Sequence, residues 1–249
     1  MAWPVPETAL RRLIRTGVHH GENNMSKLRL LGRTTSGNVQ KPMWLLAEIG
    51  LDHVREDVGG DFGGNDTPEY LAMNPNGRVP LLIDGDTVIW ESNTITRYLA
   101  ARYGGERFWI EDPARRAQAE MWMDWALTTM QPQVTGLFHA SVRTPKADRD
   151  AARVATLARG AVKVLQMIEG HLERSGWSWI AGNGLSIGDI PIGTQLYRYF
   201  DRDNERPAMP RVEAYYARMC ERPAYRETVM TPYDSLIGVL PYSQQRSRV

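Results

Sequence analysis

The amino-acid sequence predicts two domains of different class, an α/β domain over residues 25–103 and an all-α domain over residues 114–249. Short strand-like segments alternate with helical segments up to residue 103, whereas long helical patterns follow Pro113. The intervening residues 104–113 are rich in glycine and charged side chains, and they are predicted to form a linker. A chain of 249 residues is long enough to bury a core in each domain.

The α/β domain is predicted to begin with a strand, a helix and a second strand. Residues 27–31 alternate apolar and polar side chains, which is typical of a strand. Apolar residues at helical spacing over residues 39–49 then predict a helix that ends at Gly50. Pro42 requires this helix to begin only a few residues earlier, because proline is tolerated where backbone N–H groups lack partners. Residues 53–58 predict the second strand.

The next segment predicts a short helix, a hairpin and a further helix. A helix capped by Thr67 is expected to reach residue 71. Strand patterns at residues 79–83 and 87–90 flank an Asp-Gly pair, which is a strong hairpin signal. A helix with one apolar face follows Ser92. The resulting order, with a right-handed parallel unit and an antiparallel edge, is that of a thioredoxin-like domain.

Four helical patterns make up the second domain, at residues 117–130, 151–172, 185–190 and 210–219. The third is a helix start, because Ser186 and Asp189 have near capping-box spacing and the flanking apolar residues can form a hydrophobic staple. An all-helical domain follows from these patterns. The tail, residues 243–249, is expected to fray.

Composition excludes several classes of function. The 30 basic and 29 acidic residues leave a net charge of +1, which provides no electrostatic footprint for nucleic acid or an anionic membrane. No apolar run approaches the roughly 20 residues that span a bilayer. The five histidines lack metal-ligand spacing, and the single cysteine, Cys220, excludes an internal disulfide and multi-cysteine metal sites, so no metal is expected. A reducing, cytoplasmic setting is the expectation.

Residues 1–24 differ from the rest of the chain. They include ALRRLIRTGVHH, which carries three arginines and lacks the long apolar core of a secretory signal. A weak transit peptide is one interpretation. We prefer another, in which Met25 is the natural start, since a strand-like segment follows it at once. Residues 1–24 are then an extension that is either disordered or mis-assigned.

The segment NPNGRVPLLIDGDTVIWESNTITRYL, residues 74–99, carries two features suited to holding a small peptide. Val79-Pro80 is a candidate cis-proline bend that would expose a backbone edge; an ordinary proline at the start of an edge strand is the alternative. Glu91-Ser92 opens a helix, where N–H groups and a hydroxyl suit a carboxylate and Glu91 suits an ammonium. A simple helix cap is the alternative.

A third feature, Ser36-Gly37-Asn38, lies between the first strand and the first helix. A hydroxyl or amide donor at a helix N-terminus stabilises a thiolate through charge-assisted hydrogen bonds. Thr34 and Thr35 are neighbouring hydroxyls that can take the place of Ser36. The alternative is again a helix cap, which is the commoner role of serine and asparagine at such positions.

These motifs, in this order, resemble the N-terminal signature of the glutathione S-transferase family. The resemblance extends over residues 25–232: LSIGDIPIG resembles the capping element of the family's helical domain, and PRVEAYYARMCERPAY resembles its late helix. Within the family, SGNVQK at residues 36–41 resembles the Ser/Thr-x-Asn pattern of bacterial theta-like and Nu-like members. The loop contains neither the tyrosine nor the cysteine of other classes.

The resemblance implies a thioredoxin-like domain joined to an all-helical domain, a homodimer, and a cytoplasmic role in detoxification. It implies that glutathione is the co-substrate, with no other cofactor, and that its thiolate attacks a small apolar electrophile. Ser36 and Asn38 are then the catalytic pair at the sulfur. The other residues implied to bind glutathione are Val79 and Pro80 at its cysteinyl backbone, Glu91 and Ser92 at its γ-glutamyl end, and Arg78 and Lys41 at its glycyl carboxylate.

A pocket for the second substrate is the least specific expectation. Trp122, Trp125, Met130 and Phe138 can line an apolar pocket, although such residues at helical spacing more often belong to a core. Two other functions use the same glutathione site. One is a glutathione-dependent disulfide-bond reductase of the Nu-like kind, and the other is a glutathione-binding protein without turnover.

Overall fold

A four-stranded sheet forms the centre of the first domain. The computed structural model describes residues 28–202 and 206–241, so the expectations for residues 1–24 and for the tail lie outside the described residues. The strands are β1 (Arg29–Leu31), β2 (Val54–Glu56), β3 (Leu81–Asp84) and β4 (Thr87–Trp90), in the order β2-β1-β3-β4. β1 pairs parallel to β2 and antiparallel to β3, and β3 pairs antiparallel to β4. The predicted thioredoxin-like arrangement is confirmed.

The helices of this domain are α1 (Gly37–Ile49), α2 (Pro68–Met73) and α3 (Ser92–Tyr103). α1 ends at Gly50 in the left-handed conformation, and Thr67 caps α2 by accepting a hydrogen bond from the Tyr70 amide. α1 packs against α3. α1 begins at Gly37, within one residue of the predicted start, so Pro42 lies just beyond the first turn and the Asn38 carbonyl lacks its usual helical donor.

Residues 104–113, predicted as a linker, include a short helix, α4 (Gly105–Phe108). Its Phe108 side chain is buried in the core. The segment therefore packs against the protein as well as connecting its two parts. Composition did not reveal this turn because its single buried apolar residue lies among glycine and charged residues.

The second domain is helical throughout. It contains α5 (Pro113–Trp125), α6 (Gln131–Phe138), α7 (Ala151–Ser175), α8 (Asp189–Phe200), α9 (Pro210–Cys220) and α10 (Pro223–Thr228). Two π-helical turns, Ala126–Met130 and His139–Arg143, precede and follow α6. Short 3₁₀ turns occur at Gly60–Phe62, Lys146–Asp148 and Asp234–Leu236. The predicted class, α/β followed by all-α, is confirmed.

A buried carboxylate organises the start of α8. Asp189 Oδ1 accepts hydrogen bonds from the Ile180 amide at 2.8 Å and from Tyr215 Oη at 2.6 Å, and Oδ2 accepts from the amide and the hydroxyl of Ser186, each at 2.7 Å. Ser186 and Asp189 are therefore in contact as predicted, but only half of a capping box forms, because the Ser186 hydroxyl donates to Asp189 and the N-cap of α8 is Gly188. Burial raises the pKa of this carboxyl even though all four hydrogen bonds favour its charged form.

The two domains pack through α1, α8 and α10. Trp44 of α1 meets Tyr225 of α10 edge to face at 4.7 Å between ring centroids. Arg222 forms a bidentate ion pair with Glu48 at 2.5 Å for both contacts. These contacts hold α1 against the helical domain. No helix in the described ranges is long and apolar enough to cross a membrane.

Candidate active site

A cleft of about 600 Å³ lies between the β1–α1 loop and the helical domain. The first domain contributes the start of α1, the glycine-rich loop after β2 and the bend before β3. The second domain contributes the stretch from α6 through the following π turn, and α8. Volumes of this size suit a small ligand.

Ser36 stands at the N-cap of α1, and its hydroxyl is available to a ligand. Its backbone carbonyl accepts hydrogen bonds from the amides of Val39 and Gln40, both at 2.9 Å, while its side chain makes no capping bond. Within residues 28–202 and 206–241, the Ser36 hydroxyl has no hydrogen-bond partner. Ser36, Gly37 and Asn38 all line the cleft. The positive end of the α1 dipole therefore borders the cleft beside an unpartnered donor.

The two neighbouring threonines differ from Ser36 in their position or in their contacts. Thr35 lines the cleft, but its hydroxyl accepts a hydrogen bond from Arg33 Nη1 at 2.8 Å. Thr34 does not line the cleft, and its carbonyl accepts from Gln40 Nε2 at 3.0 Å. Of the three hydroxyls, that of Ser36 is both at the cleft and free of a partner among the described residues.

The bend before β3 presents an open backbone edge. The Val79–Pro80 peptide bond is cis, and Val79 lines the cleft. Neither the N–H nor the carbonyl of Val79 has a partner in the described part of the chain. The adjacent Arg78 carbonyl is held by Tyr70 Oη and Asn74 Nδ2, both at 2.6 Å, and the Arg78 side chain is exposed at the cleft.

Glu91, Ser92 and Lys41 form a cluster beside the cleft, and none of the three lines it. Glu91 has a φ of 72°, which is unusual for a residue with a side chain and is the kind of outlier that occurs at functional sites. Ser92 Oγ accepts a hydrogen bond from Lys41 Nζ at 3.3 Å. The cleft reaches this cluster through Asn76, whose amide lies 3.5 Å from the Glu91 carboxylate, and through Gln131.

Lys41 occupies a different place from the one implied by the sequence. Its side chain is fully buried, and Nζ lies 3.4 Å from Gln131 Oε1 of the helical domain as well as next to Ser92. The contact with Gln131 places the end of the Lys41 side chain at the interface between the two domains. Burial lowers the pKa of Lys41 to about 8, although the Glu91 charge acts in the opposite direction.

The four residues suggested for an apolar pocket do not line the cleft. Met130 and Phe138 are fully buried in the core. Trp122 packs against Trp125 at 5.1 Å and against His171 at 4.7 Å between ring centroids. The helical face that carries them turns towards the interior of the second domain, because a continuous apolar stripe lowers the free energy most when it is buried.

The helical wall of the cleft is instead cationic. Arg143 and Arg198 line it together with His139, and Arg33 approaches from the β1–α1 loop. Burial and the neighbouring guanidinium charges lower the pKa of Arg143 and of Arg198 to about 10. Sequence reasoning missed all three arginines. A polar residue within the apolar pattern of α8 was the one available signal, since burying an arginine there requires a reason.

Comparison with known proteins gives consistent results. Residues 26–101 match the family model described as "Glutathione S-transferase, N-terminal domain", and residues 121–223 match the corresponding C-terminal domain. The chain is 40% identical over 207 residues to glutathione S-transferase GstB of Escherichia coli, covering 82% of this chain and 99% of that protein. It is 33% identical to glutathione S-transferase 3 of Zea mays, covering 82% and 94%.

Solved structures agree with these relatives. The theta-class glutathione S-transferase of Xanthomonas axonopodis pv. citri, with glutathione bound, superposes with a TM-score of 0.79 at 42% identity. The match covers 83% of this chain and 99% of that one. A thioredoxin-like domain followed by an all-helical domain is the fold shared by these relatives. The chain belongs to the glutathione S-transferase family and is an enzyme of that class.

No group of three or more His, Cys, Asp or Glu side chains suited to a metal occurs in the described ranges. The names of the relatives favour the transferase over the disulfide reductase and the non-catalytic binding protein.

Proposed function

We propose that this enzyme binds glutathione in the cleft, stabilises its thiolate at the N-terminus of α1, and promotes attack of the sulfur on a small electrophile. The observation that carries the proposal is the Ser36 hydroxyl, which lines the cleft without an intramolecular partner in the described residues. Support comes from the similarity to the Xanthomonas enzyme, whose structure contains glutathione. Asn38, in the first turn of α1, is the second group proposed at the sulfur.

The remaining contacts follow the length of the tripeptide. The open N–H and carbonyl of Val79 pair with the cysteinyl backbone as a short added strand. Ser92 and the α3 N-terminus hold the γ-glutamyl carboxylate, and Glu91 faces the ammonium. Because Lys41 Nζ lies next to Ser92, we assign Lys41 to this same end. Arg78, exposed at the cleft, remains the candidate partner of the glycyl carboxylate.

The Ser36 hydroxyl stabilises the negative charge that develops on the glutathione sulfur. An unperturbed thiol has a pKa of about 8.5, so little thiolate exists at neutral pH. The hydroxyl of Ser36 and the free N–H groups at the start of α1 donate to S⁻ more strongly than to the neutral thiol. In the reaction, the sulfur forms a bond to the electrophilic carbon, the leaving group departs with its electron pair, and the thiol proton goes to solvent.

The domain limits, assembly and location complete the proposal. We assign residues 25–103 to glutathione binding and residues 114–249 to the helical domain. A homodimer, a cytoplasmic location and a detoxification role are what the family resemblance implies for this chain.

A titration of bound glutathione tests the central claim. We expect the ultraviolet absorbance of the thiolate to show a pKa about one to two units below that of free glutathione, since each unit corresponds to roughly 1.4 kcal/mol and one or two charge-assisted hydrogen bonds supply this. The complex with S-methylglutathione is the blank, because it occupies the site and has no thiol. Binding with no depression of the pKa would instead support a glutathione-binding protein without turnover.

The position of Lys41 gives a pH-dependent prediction. We expect Lys41→Met to weaken binding of S-methylglutathione about tenfold at a pH of about 7, where Lys41 is charged. The difference from wild type should decrease steadily as the pH rises above about 8, the pKa of Lys41 in the free protein, and the ligand-bound protein should lose the proton at a higher pH than the free protein does. Isothermal calorimetry on both proteins measures it, and exposed Lys163→Met is the matched control. An effect that does not change with pH would contradict a charge-based role.

The ionisation of Lys41 should also make the free energy of unfolding depend on pH. The unfolded chain holds the Lys41 proton up to a pH of about 10.5, whereas the folded chain releases it near 8. The free energy of unfolding of wild type relative to Lys41→Met should therefore rise as the pH increases through this window.

A further inference from the structure

Three guanidinium groups meet at one wall of the cleft. Arg143, in the π turn after α6, and Arg198, on α8, are 8% and 7% exposed, and both line the cleft. Arg33, from the β1–α1 loop, lines the cleft as well. The charges of all three arginines lower the pKa of the neighbouring His139. These arginines come from three separate segments of the chain, so the convergence is a property of the fold.

None of these guanidinium groups forms an ion pair within residues 28–202 and 206–241. Arg198 donates to the Thr35 carbonyl at 2.6 Å, and Arg143 donates to the carbonyls of Val239 at 2.8 Å and Leu240 at 3.2 Å. Arg33 donates to the Thr35 hydroxyl, and its Nε is buried without a partner. The hydrogen-bond partners are all neutral oxygens, and the Arg198 guanidinium also lies over the Phe138 ring, 4.7 Å from its centroid. Asp61 is the carboxylate whose charge reaches Arg33 and Arg143 electrostatically.

Such an arrangement is costly without an anion. Buried charges require compensation, and like charges placed together repel one another. His139, within the same group, is held neutral at physiological pH, since burial and the charges of Arg143, Arg198 and Arg33 lower its pKa to about 4. The wall thus presents three fixed positive charges and no competing titratable cation. An anionic group placed against it gains charge-assisted hydrogen bonds and relieves the repulsion.

We propose that Arg33, Arg143 and Arg198 bind an anionic group on the second substrate, so that the preferred electrophile is a small organic acid bearing a carboxylate. This inference rests on the proposed glutathione transferase function. Arginine favours planar, bidentate partners, which matches a carboxylate. The location is suitable because the Arg198 guanidinium donates to Thr35, the residue before Ser36. An acid anchored there holds its reactive carbon near the sulfur bound at the start of α1. An apolar pocket, as expected from sequence, is replaced by an anion site.

A matched pair of probes tests this. 4-Chloro-3-nitrobenzoate and 4-chloro-3-nitrobenzamide share one reaction: the glutathione thiolate forms an S–C bond to the ring, chloride leaves with the bonding electrons, and the thiol proton passes to solvent. They differ in the charge of a planar group of similar size. Because the carbamoyl group also activates the ring more than the carboxylate does, each kcat/KM is divided by the rate constant for the same probe with free glutathione. We expect kcat/KM of the wild-type enzyme to be at least about tenfold higher for the benzoate than for the benzamide.

Variants of two of the three arginines test whether the cluster causes the preference for the benzoate. Arg143→Gln and Arg33→Gln should each lower the benzoate-to-benzamide ratio about tenfold, while Arg143→Lys, which keeps the charge, should lower it less. Arg198 is avoided because it also positions the β1–α1 loop. Arg159→Gln, an exposed residue on α7, is the matched control and should leave the ratio unchanged. A ratio near one in wild type, or a ratio that Arg143→Gln does not alter, would overturn the inference.

Two further measurements separate the alternatives. If Arg143→Gln raises the KM for glutathione about tenfold without changing the ratio, the cluster binds the glycyl carboxylate of glutathione, and the inference is wrong. If wild type turns over neither probe, the transferase proposal fails by itself. Calorimetry with unreactive 4-methyl-3-nitrobenzoate and its amide, in the presence of S-methylglutathione, then decides the anion site.

A spectroscopic measurement provides an independent check. Binding of 4-methyl-3-nitrobenzoate should raise the pKa of His139 from its low value, because the anion offsets the three arginine charges. Nuclear magnetic resonance of the histidine ring, assigned with His139→Gln, measures this shift. The amide should produce none. An unchanged His139 pKa with the acid bound would place the acid elsewhere and contradict the assignment.

Discussion

Replacement of Ser36 by alanine is expected to lower kcat about a hundredfold while changing the Kd for glutathione less than about threefold. The Ser36 hydroxyl lines the cleft at the N-cap of α1 and has no other partner among the described residues. Its hydrogen bond strengthens as negative charge develops on sulfur, so its loss affects the reacting state more than the bound thiol. Steady-state kinetics with an activated haloarene, together with calorimetry of glutathione binding, measure the two effects.

A parallel variant tests the choice of hydroxyl. Thr35 also lines the cleft, but its hydroxyl already accepts a hydrogen bond from Arg33. Thr35→Ala should therefore cost much less turnover than Ser36→Ala. If Thr35→Ala produces the larger loss, Thr35 is the sulfur donor. Equal losses in kcat and in affinity for Ser36→Ala would indicate a role in ground-state binding alone.

The largest effect on stability is expected at Asp189. Asp189→Ala should lower the free energy of unfolding by about 4 kcal/mol, because it leaves two backbone amides and the Tyr215 hydroxyl buried without partners. The residue is fully buried, so water does not replace the lost carboxylate. Urea unfolding at low temperature, followed by circular dichroism, measures the loss while the variant remains folded.

Two control variants show whether the hydrogen-bond network around Asp189 stabilises the protein more than a single hydrogen bond does. Glu213→Ala removes a carboxylate that accepts one hydrogen bond, from the Met209 amide at 3.1 Å, at an exposed helix start. It should cost about 1 kcal/mol. Tyr215→Phe removes one of the four donors to Asp189 and should also cost about 1 kcal/mol. If Asp189→Ala costs no more than these, the buried network does not stabilise α8 in the way described.

Short-range chemistry explains why much of the fold was predictable. The Asp-Gly pair after β3, the Thr67 cap of α2 and the Ser186–Asp189 contact all depend on residues within a few positions of one another. Such signals survive folding because tertiary packing reinforces them. The α/β order of the first domain and the helical nature of the second followed from the same local patterns.

Several features of the backbone had no local signal. The π-helical turns Ala126–Met130 and His139–Arg143 keep a helical pattern of side chains, so periodicity does not distinguish them from α-helix. The helix Gly105–Phe108 depends on the burial of one side chain against the rest of the protein. The second π turn matters for function, since it carries both His139 and Arg143 to the cleft.

The local sequence was sufficient to define the start of α1 and the two-domain class, because each rests on neighbouring residues with distinctive backbone preferences. It left the bend at Val79 open between a cis bond and an ordinary edge-strand proline, and only the structure shows the cis bond. Tertiary packing alone decided which side chains reach the cleft. It buried Met130 and Phe138 in the core and directed Lys41 towards Ser92. It also joined Arg33, Arg143 and Arg198 on one wall. Burial and charge repulsion arise between residues far apart in the chain, so no periodic pattern in the sequence encodes them.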